Sequence, residues 1–255
     1  MNSLSVIVIT LNEEKNIADC LKSVSWASEI VLVDGGSTDK TLEIARGFTE
    51  KTFVKPWEGY GASKNFGLEH CTGDWVLWLD ADERVTPGLA EELKGILAND
   101  TTSPVAFEIP RKAFFLGKWI RHCGWYPGHV LRLFRRKAGH FSENKVHERL
   151  EVSGEKGRLR SDLLHYTDPN LWHYFEKFNR YTTLAAEELS GNRARFKISQ
   201  LIVRPFWVFV RMYILKRGFL DGIHGLVLSV LSAAYVFTKY AKLWELSGEF
   251  QRSNN

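Results

Sequence analysis

Cysteine is scarce in this 255-residue chain: Cys20, Cys71 and Cys123 are odd in number, scattered, and form no Cys-x-x-Cys pair. That excludes a disulfide framework and a cysteine-based zinc site and suits a reducing compartment. Low-complexity tracts, internal repeats and a long linker are missing as well. The chain is 44% hydrophobic and 13% aromatic, with nine Trp, which rules out a disordered or collagen-like polymer. The amino terminus lacks a basic segment and a small-residue cleavage site, so no secretory signal is expected. Long apolar runs are absent too. Leu4 to Leu11 is far too short to span a bilayer, and Gly225 to Thr238 falls below the roughly 20 residues a spanning helix needs. These features predict a cytoplasmic protein that lies on a membrane rather than crossing it.

Acidic residues are missing from two long stretches, and this is what the overall charge of +4 conceals. Residues 1–100 carry 17 acidic and 9 basic side chains, whereas 101–255 carry 13 acidic and 25 basic. Arg111 to Ser142 holds eight basic residues and no acid; Leu189 to Leu220 holds seven and no acid. A positive second half suits phosphate groups or anionic lipid. Nucleic acid is disfavoured, because no recognised RNA- or DNA-binding module accompanies the charge.

What is present in the first hundred residues is alternation. Ser5–Thr10, Glu29–Asp34, Thr52–Lys55 and Asp74–Leu79 read as strands. Helices are expected from Asn12, over Lys40–Phe48 with Ser37 or Thr38 as cap, over Tyr60–His70 and over Pro87–Leu97. Such alternation predicts an α/β fold with a mixed, mainly parallel sheet flanked by helices. Short strands follow at Ala106–Ile109, Val130–Phe134 and His147–Val152. After Pro169 the pattern turns helical, over Leu171–Leu189, Ser199–Lys216 and Phe219–Leu246. The expected division is a catalytic domain over 1–190, with a donor half (1–100) and an acceptor half (101–190), and a basic, aromatic helical extension over 191–255.

Ligands of open α/β sheets gather at the carboxyl ends of strands. Three strand ends are polar: Thr10 followed by Asn12 and Glu13, Asp34 opening Asp-Gly-Gly-Ser, and Asp80-Ala81-Asp82. Carboxylates at i and i+2 can hold a divalent cation that bridges a diphosphate. Neither G-x-G-x-x-G after the first strand nor a P-loop occurs, which disfavours dinucleotide and ATPase folds. Trp75 and Trp78 are expected to pack in the core. Trp119, Trp125 and Tyr126 are candidates for stacking on a sugar or for packing.

The segments Ser5–Glu13, Val33–Asp39 and Leu79–Glu83, with Gly61-Ala62-Ser63-Lys64-Asn65-Phe66-Gly67, resemble family 2 glycosyltransferases of the GT-A fold. Asn144–Glu148 and Gly218–Gly222 through Lys242-Leu243-Trp244 narrow the resemblance to lipopolysaccharide-core β-glucosyltransferases. Together these pieces cover nearly the whole chain. The resemblance implies that Thr10, Asn12, Glu13 and Asp34 line the nucleotide pocket, with Asp34 facing uracil. It places Lys64 and Asn65 near the diphosphate or the metal-bound carboxylates, and Asp80 on ribose or sugar. Asp82 and His165 would bind Mg²⁺ or Mn²⁺, and Glu148 would be the catalytic base. His147-Glu148 stands where many relatives carry Glu-Asp.

The implied reaction is an inverting transfer of a hexose, glucose foremost, from a UDP-sugar to a lipid-linked saccharide acceptor such as the inner-core heptose of lipopolysaccharide. Transfer to a polyprenyl phosphate and a non-catalytic nucleotide-sugar-binding module are the alternatives. The helices after Ser199 interleave Arg204, Arg211 and Lys216 with Phe206, Trp207, Phe209 and Tyr213, a pattern expected of a segment on an anionic membrane surface.

Overall fold

The structure, a computed structural model, describes residues 2–56, 58–99, 103–142, 149–192 and 196–247. The first part of the chain runs β1 (Leu4–Thr10), α1 (Ile17–Ser23), β2 (Glu29–Asp34), α2 (Thr41–Arg46), β3 (Thr52–Val54), α3 (Tyr60–Glu69), β4 (Trp75–Asp80), β5 (Glu83–Val85) and α4 (Pro87–Ala98). Next come β6 (Ala106–Phe115), β7 (Lys118–Trp119), β8 (Gly128–Arg135), β9 (Gly139–Phe141), β10 (Leu150–Val152), β11 (Lys156–Arg158) and β12 (Leu163–Asp168). The helices α5 (Leu171–Gly191), α6 (Ser199–Phe209) and α7 (Ile223–Leu246) close the chain.

The main sheet has the order β3-β2-β1-β4-β8-β6-β12-β5, with β7 and β11 pairing β6, and β9 pairs β10 separately. Strands β3, β2, β1 and β4 are parallel, whereas β4–β8, β8–β6 and β12–β5 are antiparallel. The mixed sheet expected from the alternation is thus present, with its parallel part in the first hundred residues. Every residue of β1 is buried, as an apolar, β-branched strand between two neighbours should be. Its period-two alternation sends Val6 and Val8 to one hydrophobic cluster and Ile7 and Ile9 to the other. A Cβ on Gly67 of α3 would lie 2.8 Å from Ile7 Cγ2, so glycine lets that helix press onto the sheet. At α4 the expected start at Pro87 is realised, and Thr86, not singled out in the sequence, caps it: Thr86 Oγ1 accepts the Leu89 amide.

Two local expectations are corrected. Helix α1 starts at Ile17 rather than Asn12, because the loop before it bonds to the loop after β2. Ser37 Oγ accepts the Asn12 amide, Thr41 Oγ1 the Glu13 amide, and an Asp39 oxygen the Glu14 amide. For the same reason neither Ser37 nor Thr38 caps α2, whose cap position is Lys40 with no side-chain bond.

The chain forms two compact units, Met1–Arg111 with Gly128–His165, and Lys112–Pro127 with Tyr166–Asn255. They are cut differently from the expected 1–190 and 191–255, for reasons visible inside the second unit. Lys242 Nζ on α7 donates to Asn179, Thr182 and Thr183 of α5, so α5 belongs with the later helices. Asp221 accepts from the Arg121 and His122 amides and sits 3.1 Å from His122 Nδ1, while its carbonyl accepts from Lys118 Nζ. That ties the 112–127 segment to the 3₁₀ turn Gly218–Asp221. A Cβ on Gly225 would lie 1.9 Å from the Gly218 carbonyl oxygen, so only glycine permits this approach. The Gly218-Phe-Leu-Asp-Gly222 motif is therefore a structural clasp. The expected helix over Ser199–Lys216 is α6 followed by π-helical Val210–Leu215. Helix α7 has 24 residues and contains an 18-residue window of mean hydropathy 1.3, so by length and composition it is long and apolar enough to cross a membrane. It exceeds the fourteen-residue run read from sequence because Ile223 and His224 precede that run and Lys239–Leu246 extend it.

Candidate active site at the carboxyl ends of the strands

Register alone brings the predicted residues to one edge of the first unit. Thr10 pairs with Asp34 across β1–β2, and Ile9 pairs with Asp80 across β1–β4. Asp82 follows on the turn between β4 and β5. The ladder between β5 and β12 sets His165 opposite Glu83, and His165 Nε2 stands 3.4 Å from Asp82 Oδ2.

The centre of this edge is a cluster of charges. Arg132, on β8 and 2% exposed, donates through Nη2 to Asp80 Oδ2 at 2.9 Å and to Glu83 Oε1 at 2.6 Å. The Asp80 amide in turn donates to Glu83 Oε2 at 3.1 Å. Trp78 contacts both cations, with the Arg132 guanidinium carbon 3.4 Å and Lys64 Nζ 3.7 Å from its ring centroid. Its indole N–H donates to the Leu131 carbonyl. Trp78 is thus a cation platform, whereas Trp75 is the core residue that was expected.

Two carboxylates sharing one guanidinium titrate differently. Burial works against the charge of Asp80, but Arg132, then Lys64 and His165, hold its carboxyl well below the usual range. Burial pushes Glu83 up, and the neighbouring Asp80 charge adds to this. The Asp80 side chain is 35% exposed and that of Glu83 fully buried, so the ionised oxygen atoms of Asp80 are those a ligand can reach.

The remaining predicted residues serve different ends. Thr10 is buried, and its Oγ1 has no hydrogen-bond partner among the described residues; a ligand hydroxyl or amide could satisfy it. Asp34 is fully buried and holds its own turn, accepting from the Gly36 and Ser37 amides and the Ser37 hydroxyl. Asn12, at φ 54°, accepts the Thr38 amide through its side chain. Glu13 accepts from the Asn16 side-chain amide at 2.7 Å. Asn65 is taken up by the backbone of Phe141, to whose carbonyl it donates and from whose amide it accepts; it anchors β9 to α3, and Lys64 beside it is the residue on the charge cluster. Glu148 lies outside the described residues, as do the neighbouring residues 143–147.

Sequence reasoning missed Arg132 and Glu83. The signal was present in Leu131-Arg132-Leu133-Phe134: a cation inside an apolar strand must find a buried partner. Arg111, whose Nη1 is 4.0 Å from Glu83 Oε1, is a second basic residue of the acid-free run that turns toward the carboxylates.

The donor chemistry at Asp82 and His165 fits a divalent cation. An oxygen and an imidazole nitrogen stand close together, and His165 Nδ1 is buried without a hydrogen-bond partner among the described residues. No group of three His, Cys, Asp or Glu side chains among the described residues could hold a metal. Mg²⁺ is commonly held by one or two carboxylates with waters and substrate phosphates supplying the other oxygens, and Asp82 could serve as such a carboxylate with His165 beside it.

Comparisons with known proteins bear on the family and the fold. Residues 5–152 match the family model described as Glycosyl transferase family 2. The lipopolysaccharide core biosynthesis glycosyltransferase LpsC of Rhizobium meliloti (strain 1021) is 33% identical over 95% of this chain and 92% of its own length. An uncharacterized glycosyltransferase of Rickettsia typhi (strain ATCC VR-144 / Wilmington) is 30% identical over 97% of this chain and 88% of its own. Among solved structures, the mannosyltransferase PcManGT of Pyrobaculum calidifontis, in complex with GDP-Man and Mn²⁺, is 15% identical with a TM-score of 0.55, over 95% of this chain and 87% of that one. This likeness shows the fold, which is GT-A.

Proposed function

The chain belongs to glycosyl transferase family 2, and on that footing we propose that it transfers a hexose, glucose foremost, from a UDP-sugar to a lipid-linked saccharide, the inner-core heptose of lipopolysaccharide. The observation that carries this reading is the convergence of Thr10, Asp34, Asp80 and Asp82 at aligned strand ends, with His165 beside Asp82. The lipopolysaccharide acceptor is favoured by the relative from Rhizobium meliloti, matched over nearly its whole length.

In this proposal Thr10 and the turn held by Asp34 line the nucleotide. Asp80, kept ionised by Arg132 and Lys64, accepts from hydroxyl groups of the ribose or the transferred sugar. Asp82 and His165 hold Mg²⁺ or Mn²⁺, which when bound supplies positive charge to the departing diphosphate. Glu148 removes the proton of the acceptor hydroxyl as its oxygen attacks the anomeric carbon, and the bond from that carbon to the diphosphate oxygen breaks with inversion. The test is incubation with a panel of UDP-sugars and Mn²⁺, with and without a heptose-containing lipid acceptor. Acceptor-dependent release of UDP from one sugar supports the proposal. Equal turnover by Glu148→Gln refutes the assignment of the base, and binding without transfer to any acceptor refutes the catalytic reading.

A further inference from the structure

Helix α6 has no buried residue, yet its sequence is mostly apolar. Its inner side is accounted for within the second unit: Leu201 packs against Ala186 of α5 and Tyr240 and Leu243 of α7. Its outer side is not polar. Ile202, Val203, Phe206 and Trp207 are all exposed, Phe206 at 68% and Trp207 at 54%, and Ile198 before the helix is 73% exposed. At a helical period these four residues cover an arc about 140° wide. Ile214, Leu215, Phe219 and Leu220 continue the exposed apolar series past the π-helical segment. A helix apolar on both sides belongs in a core or against lipid, and here one side already faces the core.

The charges choose among occupants. Lys197, Arg211, Lys216 and Arg217 are exposed on the same segment, Arg204 is turned to α7 by its bond to the Tyr240 hydroxyl, and no acidic residue occurs between Leu189 and Leu220. A second copy docked by two-fold symmetry would set these cations against their own images, which opposes a self-interface. Anionic headgroups around a hydrocarbon layer match both features at once: cations meet phosphates while Trp207 and Phe206 enter the headgroup and acyl boundary. Helix α7 does not compete for this role, since Lys242 fixes it to α5 and Tyr235 donates to the Tyr181 carbonyl.

We infer that the outward face of 198–220, and not α7, is the element that docks the chain onto an anionic bilayer, lying in the plane of its surface. The inference does not depend on which sugar or acceptor is used, because it is read from binding alone.

The experiment is co-sedimentation of the full chain with vesicles of phosphatidylcholine containing about a third phosphatidylglycerol, against pure phosphatidylcholine, at low and high salt. The inference predicts binding to the anionic vesicles that weakens with salt. It predicts a loss of about tenfold or more in Phe206→Ser with Trp207→Ser, and of about fivefold in Arg211→Gln. Both variants should keep the wild-type thermal midpoint and the wild-type affinity for UDP. Exposed apolar substitutions on α7, Val230→Ser and Phe237→Ser, should leave binding unchanged and serve as the second arm. Four results would overturn the inference: no binding to anionic vesicles; equal binding by wild type and the Phe206/Trp207 variant; conversion of a wild-type dimer to a monomer in that variant; or binding that resists high salt and alkaline extraction and is lost in the α7 variants, which would make α7 a spanning helix.

Discussion

Strands β2 and β4 leave the sheet side by side with β1 and both end in aspartate, yet the two carboxylates are used in opposite ways. Asp34 is fully buried and accepts from its own turn, through the Gly36 and Ser37 amides. Asp80 accepts from Arg132, fifty-two residues away, with Lys64 over the same Trp78 ring. A carboxylate neutralised by local amides shapes a loop. One balanced by distant cations holds a charge in place that a ligand can use. The strand-end aspartate is common to both, and the source of its partners separates them.

Three substitutions and one pH measurement sharpen that contrast. The largest expected effect on activity is at the β4 end: Asp82→Ala should lower kcat by about a hundredfold or more at saturating metal. Transfer at the wild-type rate would remove the functional meaning of the β4 turn. The largest effect on stability is expected at Arg132. Arg132→Met leaves Asp80 and the buried Glu83 without their shared cation and should cost about 3–5 kcal/mol in urea unfolding. At the β2 end, Asp34→Ala removes an acceptor from two turn amides and should cost about 1–3 kcal/mol, raising KM for the donor more than it lowers kcat. A kcat loss as deep as that of Asp82→Ala would abolish the distinction between the two strand ends.

The parallel core was legible because it depends on local pattern. The apolar run Ser5–Thr10 can only be a buried central strand, and strand-end polarity located the site edge. Of the residues named from motifs, Thr10 and Asp80 lie at that edge because each ends its own strand, and Asp82 because it follows on the next turn. Asn65 was less legible because its partner, the Phe141 backbone, lies 76 residues ahead and leaves no trace in the motif. Arg132 and Glu83 were hidden for a similar reason: their pairing joins β8 to β5 across forty-nine residues of sequence, and composition counts Arg132 only as one of an excess of cations. The unit boundary escaped because Asp221 gathers the amides of residues 121 and 122 from a hundred residues earlier.

The smallest predicted effect lies at the opposite end of β2. Burial disfavours the charge of Glu29, but bonds from Lys51, Ser5 and Thr72 outweigh it and lower its carboxyl from 4.5 to about 2. A depressed carboxylate stabilises the fold fully above its unfolded value and loses that contribution as pH falls through the folded one. Glu29→Gln should therefore destabilise the protein at neutral pH by about 1–2 kcal/mol, and the gap to wild type should close between pH 4.5 and about 2. A gap independent of pH would assign the effect to packing.

The central claim is that Asp82 and His165 form a cation site completed by the donor's phosphates. Titrating Mn²⁺ into the protein with and without UDP, by calorimetry or by the electron paramagnetic resonance of free Mn²⁺, tests it without recourse to turnover. The account predicts weak binding of Mn²⁺ alone, binding strengthened by UDP, and loss of that strengthening in both Asp82→Ala and His165→Ala. Wild-type, UDP-dependent Mn²⁺ binding in both variants would contradict it.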